Sequence, residues 1–190
     1  MLKAPYERYP RYSQRPFPPY RFIQGKNPHP LQDPQGHSYG QPSEDPKILN
    51  PDKWYENETY LFGADLYNYA FFWESHESFE SLWKRQQKND PARHLLQGLI
   101  MISGAFLKWH AKNQQGLESL YAGGIGHLQE VLDGNTEFMG LNLMDHIAKL
   151  SNHFTEVIAR PDKWPDPLLH YPFIVLAPTL KNKNRTIVRF

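Results

Sequence analysis

The residues best suited to chemistry lie in one segment, YAFFWESHESFESLWK, at positions 69–84. On a helix with about 100° between residues, His76 and Glu80 fall in the middle of a stripe of aromatic side chains. Glu77 falls at the edge of that stripe, and Glu74 falls on the opposite face, where we expect solvent. An aromatic stripe predicts a face turned to the core, and burying an unpaired imidazole or carboxylate there costs several kcal/mol. His76 and Glu80 therefore need partners.

Two interpretations of this pair require no metal. In the first, His76 and Glu80 are one helical turn apart and form a buried hydrogen bond with Gln97 that only fixes helix packing. The protein is then structural, or an interaction module that forms a homodimer through exposed aromatic residues. In the second, His76, Glu77, Glu80 and Gln97 are the polar contacts of a ligand pocket inside the bundle.

The third interpretation is a divalent-metal site. Imidazole and carboxylate ligands suit zinc, manganese or iron. The spacing is neither H-E-x-x-H nor a pair of E-x-x-H motifs, so further ligands must come from outside the helix. The set predicted here is His76, Glu80, His37 and His29. With a metal bound, Glu77 would serve as base toward a metal-bound water, which predicts a metal-dependent hydrolase.

Helices must position these residues, and the pattern predicts an all-α bundle of about five. Pro51 and Pro91 are each suited to a first helical turn, and Asp90 is suited to cap the helix that starts at Pro91. The stretch LLQGLIMISGAFL is apolar all round, which is typical of a helix buried on every side. No strand pattern occurs before residue 170. The predicted helices are about 51–68, 69–87, 91–113, 115–132 and 142–160.

Composition divides the 190 residues into an arm, a bundle and a tail, at 1–50, 51–160 and 161–190. Residues 1–51 hold 11 of the 17 prolines and carry a charge of +3. Residues 52–160 hold one proline and carry −5, and residues 161–190 hold five and carry +3. Dense proline excludes helix and central strand, so we expect an extended arm and an irregular tail.

The arm contains many aromatic residues, and a solvated linker has little use for them. We therefore expect the arm to pack its rings on the bundle. In the tail, the segments PFIVLAP and RTIVRF predict short extended pieces. The aromatic side chains that alternate with the prolines of the arm include Tyr9, Tyr12, Phe17, Tyr20, Phe22 and Tyr39.

Several classes of protein are excluded or disfavoured by composition. Without cysteine there is no disulfide, thiol nucleophile or thiolate-bound metal. No apolar run approaches the length of a membrane span, and the first residues lack a secretory signal, so a soluble cytoplasmic protein is expected. Arginines interleave with aromatics in the arm, as in single-strand binders, but a pI near 7.9 and an acidic middle argue against nucleic acid.

The run YLFGADLYNYAFFWESHESFESLW, at positions 60–83, resembles the signature of an uncharacterised bacterial and archaeal family, the domain of unknown function 309. The later LQGLI, at 96–100, resembles the second part of that signature. The arm is similar to longer members at Pro28-His29-Pro30 and Gly36-His37-Ser38. Ser75 and Phe79 depart from the pattern at apolar positions only. The resemblance covers about residues 16–130 and implies a small all-α bundle that includes the arm, without indicating an activity or cofactor.

Overall fold

A bundle of five α-helices forms the body of the protein, which confirms the predicted fold class. The computed structural model describes residues 11–42, 45–134, 136–164, 166, 168 and 171–177. Helix α3 packs against both α2 and α4, and α4 packs against α5. Short 3-10 helices precede α1 at Pro51–Glu56 and follow α5 at Pro161–Lys163. The helices are α1 (Glu58–Asn68), α2 (Phe72–Trp83), α3 (Pro91–His110), α4 (Gln114–Leu132) and α5 (Leu143–Ala159).

Short polar side chains set the starts of four helices. The side chain of Asp90 accepts a hydrogen bond from the backbone N–H of Ala92, which confirms the predicted cap of α3. Asn113 and Asn142 cap α4 and α5 in the same way. Asn57 caps α1 from an extended backbone conformation. For that reason the first predicted helix, 51–68, is split into a 3-10 helix and α1.

The turn between α1 and α2 places the second helix three residues later than predicted. Ala70 has a positive φ of 62°. Its N–H donates to the carbonyl of Tyr67, and the N–H of Phe71 donates to the carbonyl of Leu66. These are the two bonds of a Schellman motif, and the accompanying apolar contact joins Phe71 to Leu66. The motif ends α1 and redirects the chain, so Tyr69 is not part of α2.

The core is built around the ring of Phe106 on α3. Phe106 is fully buried and stacks on Phe72 of α2, with ring centroids 4.6 Å apart. The rings of Tyr67 and Phe154 also contact it, at 5.8 and 5.0 Å. Four helices and the tail residue Tyr171 therefore meet at one aromatic cluster.

A small hairpin interrupts the helical pattern, contrary to the expectation of no strand before residue 170. Strands β1 (Glu137–Phe138) and β2 (Leu141–Asn142) pair antiparallel. They are joined by Met139 and Gly140, which both have positive φ, as a type I′ turn requires. Two paired residues per strand are too few for alternation to be visible in the sequence.

The extended tail segment predicted at 172–178 is observed over its described part, and RTIVRF lies outside the described residues. Leu176 bridges Leu141 of the hairpin. The Asn68 side chain donates to the carbonyl of Ile174 at 2.7 Å and accepts from its N–H at 2.8 Å. An amide at the end of α1 thus pairs with the tail as a neighbouring strand would, which fixes the tail to the bundle.

His146 on α5 provides a pH-dependent contribution to stability. Burial lowers its pKa from 6.5 to about 4, although Asp145 and a hydrogen bond with the Phe173 backbone oppose the shift. Because the folded pKa lies below the unfolded value, this stability is present above pH 6.5 and is lost as the pH falls toward 4. Between pH 7.5 and 4.5 we expect urea denaturation to show wild type losing up to about 3 kcal/mol more than His146→Met. Equal losses in the two proteins would contradict this role.

Candidate functional site

Helix α2 turns a different face to the core from the one predicted. Its most buried side chains are Phe72, Ser75, Phe79 and Leu82. The middle of this face lies roughly 80° around the helix from His76. His76 and Glu80 are therefore at its edge, and their side chains are 30% and 31% exposed. The expectation of a buried pair inside the aromatic stripe is corrected, because part of that stripe lines a cleft.

This cleft, called the His76 cleft here, lies between α2, α3 and the arm and has a volume of about 660 Å³. Trp73 and Trp83 of α2 form part of its wall and are half-buried. The arm contributes Phe22 and His29, and α3 contributes Met101 among its apolar residues. Side chains with polar groups converge on the cleft from all three elements: His29, His76, Glu80, Gln97, Lys108 and His110.

The predicted hydrogen bond between His76 and Glu80 is not formed. Glu80 accepts from the Lys84 ammonium group at 2.8 Å. The nearest carboxylate to His76 is that of Glu77, with Nδ1 to Oε1 at 3.3 Å. The angle at that contact is not that of a hydrogen bond, and Nδ1 is buried with no partner among the described residues. Because Nδ1 is buried, Nε2 is the ring nitrogen of His76 that a molecule in the cleft would contact.

Gln97 brings a second polar group to the same cleft from α3. Its side chain makes no hydrogen bond to any described residue, although it is half-buried. An amide offers both a donor and an acceptor. His76 and Gln97 together therefore present polar groups that the surrounding protein does not satisfy.

His29 contributes to the cleft through an aromatic stack. Its ring centroid is 5.0 Å from that of Phe22 and 5.4 Å from that of Trp73. Its Nδ1 accepts from the backbone N–H groups of Leu31 and Gln32, at 3.2 and 3.3 Å. In the neutral ring the proton is therefore on Nε2, which makes that atom a donor.

Glu74 on the far side of α2 is buried, which corrects the expectation that it faces solvent. Its Oε1 accepts from the Phe22 N–H at 2.9 Å and lies 3.1 Å from Nε2 of His37. Burial raises the pKa of Glu74, while the Phe22 N–H and His37 oppose the shift. Its Oε2 is buried without a partner among the described residues. The arm covers this face of the helix, and Glu74 fastens it there.

The predicted metal ligands are divided between two sides of α2. His29, His76 and Glu80 line the His76 cleft. His37 contacts Glu74 and lines a second cleft of about 530 Å³, together with Glu77. Across the described part of the chain, no three His, Asp or Glu side chains form a group able to hold a metal ion. The structure brings His76, Gln97 and His29 together and places His37 and Glu77 at the second cleft, while Glu80 lines both.

Asp65 is a structural anchor that the sequence analysis missed. Its side chain is fully buried on α1. Its oxygens accept from the N–H groups of Tyr12 and Ser13, each at 2.8 Å, and from Nε of Arg11 at 3.3 Å. Burial raises the pKa of Asp65 to about 6, although these arm groups oppose the shift. The sequence does contain a signal for this role, because Asp65 is the one acidic residue between Glu58 and Glu74.

Between Asp65 and Glu74, apolar contacts hold the arm to the bundle. Phe17 stacks on Phe71 with ring centroids 5.1 Å apart and also contacts Phe62 at 6.2 Å. Arg21 donates from Nε to the carbonyl of Tyr69 at 2.8 Å. The arm is thereby held in the position from which Phe22 and His29 reach the cleft.

Comparison with known proteins bears on the bundle rather than on the arm. Residues 60–120 match a family described as a domain of unknown function, DUF309, which confirms the resemblance over that segment. The match runs from α1 into α4 and includes His76, Glu77, Glu80 and Gln97. No curated protein matches the chain. Within the described residues, every helix is too short or too polar to cross a membrane.

Proposed function

We propose that the DUF309 region of this chain, completed by the arm, binds a small organic molecule in the His76 cleft. The observation that carries the proposal is the meeting of two half-buried side chains, His76 and Gln97, in one cavity, neither of which makes a hydrogen bond to a described residue. Buried or half-buried polar groups in a folded protein are normally satisfied by the protein itself or by water. A ligand with complementary groups satisfies them at this site.

The size and lining of the cleft support this proposal. Its volume of about 660 Å³ lies within the range of roughly 300–1,000 Å³ typical of small-molecule sites. Most of the lining is aromatic or aliphatic, with a few polar groups, as such sites require. The half-buried faces of Trp73 and Trp83 suit a flat apolar body.

The polar groups define what the rest of the molecule needs. Gln97 offers a donor and an acceptor, His76 presents one ring nitrogen, and Lys108 adds a cation. Glu80 is already paired with Lys84, so its charge is largely compensated. The preferred ligand therefore has an aromatic body and a polar or anionic end. Glu77 does not line the cleft, although its carboxylate lies 3.3 Å from Nδ1 of His76.

Three probes with one ring system and different charges test the proposal: indole-3-acetate, indole-3-acetamide and tryptamine. Isothermal titration calorimetry reports binding, because the indole probes fluoresce in the same range as Trp73 and Trp83. We expect saturable binding of the acetate or the acetamide. His76→Ala and Gln97→Ala should each weaken it at least about tenfold, the effect of losing roughly 1.4 kcal/mol.

The matched control is Gln129→Ala, which removes an exposed amide on α4. Its affinity for the probes should equal that of wild type. Equal affinity in all four proteins, or no saturable binding of any probe, contradicts the proposed site. Preferential binding of tryptamine would contradict the preference for a polar or anionic ligand. The His76→Ala and Gln97→Ala variants would then still show whether the probe binds in the His76 cleft.

A further inference from the structure

Two histidines that do not line the His76 cleft meet where α3 packs against α4. His94 on α3 and His127 on α4 are half-buried, and their Nδ1 atoms are 3.3 Å apart. Their ring centroids are 5.4 Å apart. In the absence of another occupant, one Nδ1–H donates to the other Nδ1. The pair has no part in the proposed ligand site.

The backbone of the two helices holds this pair together. Helices α3 and α4 run antiparallel and approach most closely at two glycines. A Cβ on Gly98 would lie 3.1 Å from the carbonyl oxygen of Gly124, and a Cβ on Gly124 would lie 3.2 Å from that of Gly98. His94 is one turn before Gly98, and His127 is about one turn after Gly124. The imidazoles therefore come from two rigid, closely packed elements.

The separation of the nitrogens fits a shared ion. Two ligands at 2.0–2.1 Å from a tetrahedral Zn²⁺ are about 3.3 Å apart. We propose that His94 and His127 form a binding site for a divalent transition-metal ion, with Zn²⁺ as its representative, in which the ion replaces the shared proton. No third His, Asp or Glu completes a metal-binding group in the described ranges, so water fills the other positions.

The ligand type decides which ions this site favours. Imidazole ligands alone favour Zn²⁺, Ni²⁺ or Cu²⁺ over Mg²⁺, which prefers oxygen.

Isothermal titration of the untagged full chain with ZnCl₂ at pH 7.5 tests the proposal, with MgCl₂ as the comparison. We expect one Zn²⁺ per chain and no response to Mg²⁺. His94→Gln and His127→Gln should each weaken Zn²⁺ binding at least about tenfold. At pH 5.5 the wild-type affinity should also fall, because protons compete for both rings.

His76→Gln is the matched control, since it removes a histidine from the separate cleft and should leave Zn²⁺ affinity unchanged. Circular dichroism of each variant checks that its helices remain. Loss of Zn²⁺ binding in His76→Gln alone would place the ion in the cleft and overturn the proposal. Undiminished binding in His94→Gln and His127→Gln, or no Zn²⁺ binding by wild type, would also overturn it.

Discussion

Asp65→Ala is expected to lower the free energy of unfolding by about 2–5 kcal/mol, the largest effect on stability we predict for a single polar residue. The substitution leaves two backbone N–H groups, those of Tyr12 and Ser13, without their buried acceptor, and each such loss costs about 1–3 kcal/mol. Arg11 loses its carboxylate at the same time. Urea denaturation measures the change, and Asp133→Ala, at an exposed aspartate, is the control.

The effect of Asp65→Ala should depend on pH. The pKa of Asp65 is raised from 3.8 to about 6 in the folded protein. Its contribution to the free energy of unfolding is therefore complete below pH 3.8 and declines as the pH rises through 6. The difference between wild type and variant should therefore be larger at pH 4.5 than at pH 7.5, by about 2 kcal/mol. A variant as stable as Asp133→Ala at both pH values would show that the arm is not anchored there.

Glu74→Ala is expected to weaken binding of the preferred indole probe at least about tenfold, although Glu74 does not line the His76 cleft. Its carboxylate holds the Phe22 N–H and His37, and Phe22 forms a wall of the cleft. Without it, that wall is no longer fixed. Stability should fall by about 1–3 kcal/mol, because a buried donor loses its acceptor.

Glu74→Gln distinguishes the role of hydrogen bonding from that of charge. The amide has nearly the same shape as the carboxylate and retains an acceptor for the Phe22 N–H. We expect it to bind the probe nearly as wild type does, as should Glu156→Ala on the exposed side of α5. If Glu74→Ala also binds like wild type, the arm does not complete the site.

Local signals explain why the later helices were predicted well. The start of α3 follows from Asp90 and Pro91, and α5 begins within a residue of the predicted position, after Asn142. The start of α2 was missed because Ala70, and not glycine, has the positive φ of the turn. The hydrogen bonds and the Leu66–Phe71 contact offset the cost of that conformation, and periodicity does not reveal them.

The sequence predicted several of the residues that line the candidate site, but it did not predict which face of α2 is covered. Periodicity grouped His76 with Glu80, and both line the cleft with Gln97. It placed Glu74 in solvent because a helical wheel contains no information on what covers each face. Here the arm supplies the cover, through contacts between residues more than 35 positions apart, such as His37 and Glu74. Pairings at that distance cannot be read from local spacing.

The most direct test of the central claim is the position of a bound probe, observed through the methionine methyl groups. The chain has four methionines, and Met101 lines the His76 cleft, whereas Met139 is buried near the hairpin and Met144 is exposed on α5. In ¹³C-methyl NMR, saturating indole-3-acetamide or indole-3-acetate should shift Met101 and leave Met139 and Met144 unchanged. A saturable shift at Met139 or Met144 without one at Met101 would contradict the proposed site.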